Sequence, residues 1–195
     1  VGENVITIEV VSQSGDKKIY EIVVIRKNDA PIVGIKDVLE TIDKTTHTQI
    51  EVEIKDDENN ISSKILKKLK GKKLELRINK YDNNNVRYVW IINGKGIDKA
   101  FDFNTLVKFE TTKADKINKL TNYAKVMNLN YAHSGSLPKN TKFKVYVGDM
   151  YKDYDKLNLY YFDEENNELV LKAEELEVKK GFVEYKIEHC SEYIL

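Results

Sequence analysis

Proline, cysteine and arginine are scarce in this chain. Its 195 residues include two prolines, one cysteine and three arginines, Arg26, Arg77 and Arg87. A single cysteine closes no internal disulfide, which excludes a cross-linked miniature scaffold. Arginine is the preferred residue for bidentate phosphate contacts. Lys+Arg and Asp+Glu stand at 32 each, so the basic excess of a nucleic-acid-binding face is also missing. There is no run of eighteen apolar residues, hence no expected membrane-spanning helix. No signal peptide is visible, because residue 1 already lies in strand-like sequence. That start suggests a fragment of something longer. No internal repeat of fixed period occurs.

What is present fits a soluble globular chain: 41% hydrophobic and 33% charged residues. The length suits one large domain, or a domain plus a fragment. Lysine, asparagine, isoleucine and tyrosine are abundant, a bias of AT-rich bacterial genomes. The lone cysteine is compatible with the cytosol, and with secreted proteins of Gram-positive bacteria, which often avoid cysteine.

Period-two patterning dominates. "VITIEVV" at 5–11 and "IYEIVVIRK" at 19–27 flank the turn "SQSGDKK" and predict a hairpin. A two-stranded hairpin is marginal in water by itself. "NDAPIVG" reads as a linker, and "IKDVLETIDK" places Ile35, Val38, Leu39 and Ile42 at helical spacing. In "TQIEVEI", Ile50, Val52 and Ile54 share one strand face. "ISSKILKKLKG" predicts a short amphipathic helix with Ile61, Ile65, Leu66 and Leu69 on one face and Gly71 at its stop. "KKLELRINK" and "VRYVWIING" are strands joined by "YDNNN", and "NGKG" is a tight turn. Residues 102–135 read as two or three short strands with a polar excursion. "TKFKVYVGDMY" is a strand with Phe143, Val145 and Val147 alternating, "KLNLYYFDEENNELVLK" is a hairpin, and "FVEYKIEHCSEYIL" ends the sheet.

The chemistry-bearing residues are few. His189, Cys190 and Ser191 are adjacent, but neighbours in a strand point to opposite faces. His189 and Ser191 share a face with Cβ atoms roughly 6–7 Å apart, beyond the reach a base needs to activate a hydroxyl. Cys190 is expected as a small buried hydrophobe. His47 and His133 stand alone, without zinc-ligand spacing. "KDDENN" and "YDNNN" offer clustered oxygens, yet the EF-hand spacing fails and such runs are common turn formers. No cofactor is expected; a calcium ion would go first to Asp56, Asp57 and Glu58. "GKG" at 94–96 lacks the spacing of a phosphate loop. No spaced carboxylate pair for glycoside hydrolysis stands out. Trp90, with Tyr88 and Ile92 on its face, belongs to the core. Tyr81, Tyr88, Tyr146, Tyr160 and Tyr161 could stack on sugar rings but are expected in core and cross-strand pairs; Tyr151 and Tyr154, in "DMYKDYDK", are the better candidates for ligand contact.

Two resemblances suggest a setting. Gly2 and Asn4 leading into a strand, the Gly15-Asp16 turn, then Tyr20 and Arg26 resemble the end of a bacterial cadherin-like β-sandwich repeat, truncated at its start. From residue 50 onward, "LKGKKLEL", "AHSGSLP", "KVYVG", "LNLYYFDEENNELVL" and the ending "HCSEYIL" with His189, Cys190, Ser191 and Tyr193 resemble an all-β module. That module occurs in large surface and secreted proteins of clostridial-type Gram-positive bacteria, next to cadherin-like or Ig-like repeats and near secreted glycoside hydrolases. Asp155-Lys156 stands where such modules often carry a glycine.

The expectation is a mainly β chain, an antiparallel β-sandwich with one or two short helices. It divides into the end of a repeat at 1–29, a linker with a short helix at 30–48, and a sandwich-like module at 49–195. The resemblances imply a non-catalytic, extracellular spacer in a multidomain cell-surface or secreted protein, with a carbohydrate-binding or adhesin module, or a hydrolase accessory domain, as alternatives. The expected partners are neighbouring domains of the same chain, then cell-wall or host glycans; neither nucleic acid nor membrane insertion is expected, and the chain is expected to be monomeric.

Overall fold

A computed structural model describes the backbone of residues 3–25, 30–55 and 57–195, and the side chains of 6–21, 30–55 and 57–195. The chain divides into two units, Val1–Ala30 and Pro31–Leu195.

The first unit holds the expected hairpin. Strands β1 (Glu3–Val11) and β2 (Lys17–Ile25) pair antiparallel, with Ile8 opposite Tyr20 and Val10 opposite Lys18. Their turn is tied by Ser12, whose Oγ accepts from the Asp16 amide at 3.0 Å and whose carbonyl accepts from the Gly15 amide at 3.0 Å. Gly15 sits at φ +88, where a side chain would be strained. Ile6, Ile8 and Tyr20, on one face of the ribbon by this register, are all exposed. Gly2 and Arg26 lie outside the described residues.

The second unit opens with β3 (Ile32–Gly34), a 3-10 turn at Ile35–Asp37 and α1 (Val38–Lys44). Next come β4 (Gln49–Ile54), the two-residue β5 (Asn60–Ile61), α2 (Ser63–Leu69), β6 (Glu75–Asp82) and β7 (Asn85–Asn93). After a 3-10 turn at Gly94–Gly96 follow β8 (Phe103–Asn104), β9 (Val107–Lys108), α3 (Ala114–Leu120) and β10 (Asn128–Ser136). The chain ends with β11 (Lys142–Tyr146), β12 (Lys156–Asp163), β13 (Glu168–Glu177), β14 (Phe182–Lys186) and β15 (His189–Ile194).

Two sheets form a mainly β, sandwich-like fold: six strands in the order β14-β11-β7-β6-β4-β3, and five in the order β13-β12-β15-β10-β9. Most pairings are antiparallel, but β3–β4 and β4–β6 run parallel. Parallel neighbours need a crossover, and α1 and α2 supply the two required. Within the stretch 30–48, Ile32–Gly34 is the edge strand of the larger sheet, and the short helix expected there is α1, with Val38 and Ile42 buried. α2 has the predicted apolar face, with Ile61, Ile65, Leu66 and Leu69 all buried. Ser62 caps it by accepting from the Lys64 amide, and Gly71 stops it at φ +79.

Alternation along the strands fills one continuous core. Ile50, Val52 and Ile54 of β4, Leu76 and Ile78 of β6, and Tyr88, Trp90 and Ile92 of β7 face the same interior. Leu129 and Tyr131 of β10 meet them from the opposite sheet. Trp90 is the hub, with ring centroids at 4.7 Å to Phe143, 4.9 Å to Phe103 and 5.2 Å to Tyr131. Its indole N–H donates to the Thr105 carbonyl at 2.9 Å, so this buried donor is paired.

Three further details differ from the sequence reading. Residues 102–135 contain α3, whose Ile117 packs with Phe162 and Ile194 in a small second cluster. The closing stretch is two strands in different sheets: β14 pairs with β11, whereas β15 pairs with β10 and β12. And "NGKG" needs glycine for space rather than for positive φ: a Cβ on Gly94 would meet the Leu69 carbonyl oxygen at 2.3 Å, and one on Gly96 that of Lys139 at 2.0 Å.

Candidate functional site

The histidine–cysteine–serine run sits in β15 and gathers no reactive pair. Cys190 is a free, buried thiol whose pKa is pushed up to about 12 by that burial, far from the thiolate character of a nucleophile. His189 meets a phenol instead. The Tyr193 hydroxyl lies 3.2 Å from its Nε2 and 3.1 Å from its carbonyl oxygen, and the Tyr161 ring packs edge-on at 5.4 Å. Deeper still, the Tyr131 and Tyr185 hydroxyls share a 2.6 Å hydrogen bond. Burial raises the pKa of both phenols well above the ordinary tyrosine value.

The other two histidines are separate. His133 is stacked on Phe101 at 5.0 Å and edge-on to Phe103, and partial burial lowers its pKa. His47 is exposed beyond α1. Of the suspected calcium residues, Asp56 lies outside the described residues, Asp57 is exposed, and the Glu58 amide donates to the Lys55 carbonyl in a local turn. Among the described residues no group of three or more His, Cys, Asp or Glu converges as a metal site requires.

Tyr151 and Tyr154 occupy the loop between β11 and β12 in different states. The Tyr151 ring is half-buried, its hydroxyl donating to the Lys125 carbonyl at 2.9 Å while the Lys125 ammonium lies 5.5 Å over its face. Tyr154 projects into solvent, 79% exposed, from a left-handed backbone at φ +73. Neither phenol lines the cavity beside this loop.

A cavity of about 580 Å³ lies beside that loop. Three chain segments build it at one end of the larger sheet, on the face away from the core. The first is the β6–β7 turn, where Asn83 and Asn84 both adopt positive φ, 47 and 65. This two-residue reversal suits asparagine, and it sets Asp82, Asn83 and Asn85 at the cavity edge. The second is Arg87, two residues along β7. Its guanidinium stacks 4.2 Å over Phe109 and reaches Asp149 Oδ2 and the Tyr146 carbonyl at 3.5 Å each. Both contacts are long, leaving most of its five donors uncommitted.

The third segment is the end of β11 with the start of β14. Tyr146 and Phe182 face each other across the antiparallel pair, ring centroids 5.3 Å apart. Two glycines seat the Tyr146 ring. A Cβ on Gly148 would lie 2.6 Å from its hydroxyl oxygen, and one on Gly181 would lie 2.7 Å from its ring edge. Gly181 also has φ +75, and its amide donates to Asp153 Oδ1 at 2.7 Å, which ties the β11–β12 loop to the start of β14. The Lys144 ammonium sits 4.6 Å over the outer Phe182 ring; burial, and then Arg77 nearby, lower its pKa.

The cavity therefore combines apolar ring surface, two carboxylates, side-chain amides and one guanidinium on a scaffold fixed by hydrogen bonds. Asp82 and Asp149 are both exposed. The sequence reading counted Tyr146 among the core and cross-strand aromatics and passed over Arg87 and Phe182, whereas Tyr146 is half-exposed and lines the cavity; the available signal was a glycine two residues after Tyr146 and another immediately before Phe182.

Comparison with known proteins adds nothing to this geometry: no family model, no curated protein and no solved structure matches the chain. No helix of the described residues is long and apolar enough to cross a membrane.

Proposed function

We propose that the chain is a non-catalytic structural module of a multidomain bacterial surface or secreted protein, a stiff spacer that presents its neighbours. The observation behind this reading is the sealed sandwich of the second unit. Its inward side chains from both sheets form one continuous cluster around Trp90, and the nucleophilic and titratable groups of β15 are spent inside it or on its rim. Such a body, dense in long-range strand pairing, resists bending as a spacer must. The extracellular setting rests on the resemblances of the hairpin and of the "HCSEYIL" ending, and on the near absence of cysteine.

The test is cell-surface labelling. An antibody raised against the 195-residue chain should stain intact, unpermeabilised cells of the organism that carries it, or detect it in the culture medium. Staining confined to lysed cells would overturn the reading.

A further inference from the structure

We propose that the cavity beside the β6–β7 turn is a binding site for a neutral saccharide, with Tyr146 and Phe182 as its apolar wall and Arg87, Asp149 and Asn85 as its polar one. The lining chemistry narrows the ligand. Two exposed carboxylates, Asp82 and Asp149, repel phosphates and other anions, while Arg87 opposes a free metal cation. An apolar ligand would leave the guanidinium, carboxylates and amides without partners. A sugar ring suits both walls. Its C–H face packs on an aromatic ring, and its neighbouring hydroxyls pair with planar groups that donate or accept in twos, as guanidinium, carboxylate and amide do. The size agrees as well, since about 580 Å³ falls within the roughly 300–1,000 Å³ of small-molecule sites.

Preorganisation is the second argument. A half-exposed tyrosine on a sheet face is ordinarily free to change rotamer. Tyr146 rests on Gly148 and Gly181, where any side chain would collide with its ring. Asp153 holds Gly181 in place through its backbone amide, and Phe109 supports Arg87 from behind. The ring and the guanidinium are thus fixed before any ligand arrives, which lowers the entropic cost of binding. Tyr154, the most exposed phenol of the neighbouring loop, does not line this cavity.

The site would stand even if the chain proved to have another cellular location, so the labelling experiment above and the following one fail independently. Backbone-amide NMR of the 195-residue chain, titrated with neutral oligosaccharides of glucose, galactose, mannose and N-acetylglucosamine, should show saturable shifts with at least one of them, centred on Asn83, Asn85, Arg87, Gly148 and Gly181. Tyr146→Ala should weaken that binding about tenfold or more, and Asp149→Asn about three- to tenfold through one lost hydrogen bond. Tyr154→Ala should leave it unchanged. Asp149 is exposed, so its variant keeps the test decisive if Tyr146→Ala disturbs the fold. Absence of saturable shifts with all four sugar series would overturn the proposal. So would shifts centred on Tyr154, or the same shifts produced by inorganic phosphate.

Discussion

Strands β11 and β14 each contribute to two aromatic clusters, and the clusters have opposite fates. Phe143 of β11 and Tyr185 of β14 point inward, with rings 5.9 Å apart, and join Trp90 and Tyr131 in the sealed core. Tyr146 and Phe182 of the same two strands point outward, with rings 5.3 Å apart, and line a cavity open to solvent. Composition does not separate the pairs, since each is one phenylalanine and one tyrosine. Parity does, because successive side chains alternate across a strand. The inward pair is held by burial on every side, the outward pair by two glycines beneath one ring. Aromatic content alone therefore does not distinguish a core from a binding surface; position on the strand and the residues packed underneath do.

The sharpest way to break this comparison is to truncate one ring from each cluster. Trp90→Ala removes the hub of the core and its hydrogen bond to Thr105, and should cost about 3–5 kcal/mol. Tyr146→Ala removes a half-exposed ring and should cost under about 1 kcal/mol. Urea denaturation followed by circular dichroism measures both. Equal costs would mean that the outward cluster is part of the core.

The inner half of that contrast is legible in the sequence. Ile50, Val52, Ile54, Trp90, Phe143, Val145 and Val147 were all assignable to buried faces, because period-two alternation is the same physics that buries them. The face of α2 and the β6–β7 reversal were readable for similar local reasons. α3 was not: Ile117 is its only buried residue and Lys113 gives it no side-chain cap, so neither an apolar stripe nor a start signal is present. The two parallel pairings and the assignment of β14 and β15 to different sheets depend on contacts between residues distant in sequence, which alternation does not encode. Central strand β7 adds another limit: Val89 and Ile91, on the face opposite Trp90, are also buried. The candidate site was the least legible part. Arg87, Tyr146 and Phe182 lie far apart in the chain, and only the β7–β11–β14 register brings them together.

Alkaline titration separates the clusters by another property. In the interior, burial pushes Cys190 and Tyr88 up to about 12 and carries Tyr131, Tyr185 and Tyr193 above the ordinary tyrosine range. These acids are neutral when protonated, and in the unfolded chain they ionise near pH 8.5 for cysteine and near pH 10 for tyrosine. The folded state thus holds protons that the unfolded state releases. Their contribution is complete below about pH 8.5 and declines as pH rises toward about 12, each group drawing up to about 1.4 kcal/mol per pH unit between its two pKa values. Urea midpoints should fall steadily over that window, with part of the phenolate absorbance appearing only as the protein unfolds. If all tyrosines ionised in one step near pH 10 with the urea midpoint unchanged, the interior would not be sealed.

The smallest effect tests the seat beneath the outward ring. Gly148→Ala places a methyl where the Tyr146 hydroxyl and ring edge now lie, 2.6–2.9 Å from three of its atoms. The clash falls on the outer end of a half-exposed side chain, which a small forced shift relieves, so the cost should be modest, about 0.5–1 kcal/mol. In a Tyr146→Ala background the obstacle is gone, and the same substitution should cost close to nothing. The coupling between the two positions is then the measured quantity. A Gly148→Ala cost that persists without the Tyr146 ring would assign the glycine to the loop backbone instead, and would remove the argument that the outward aromatic wall is built in advance of its ligand.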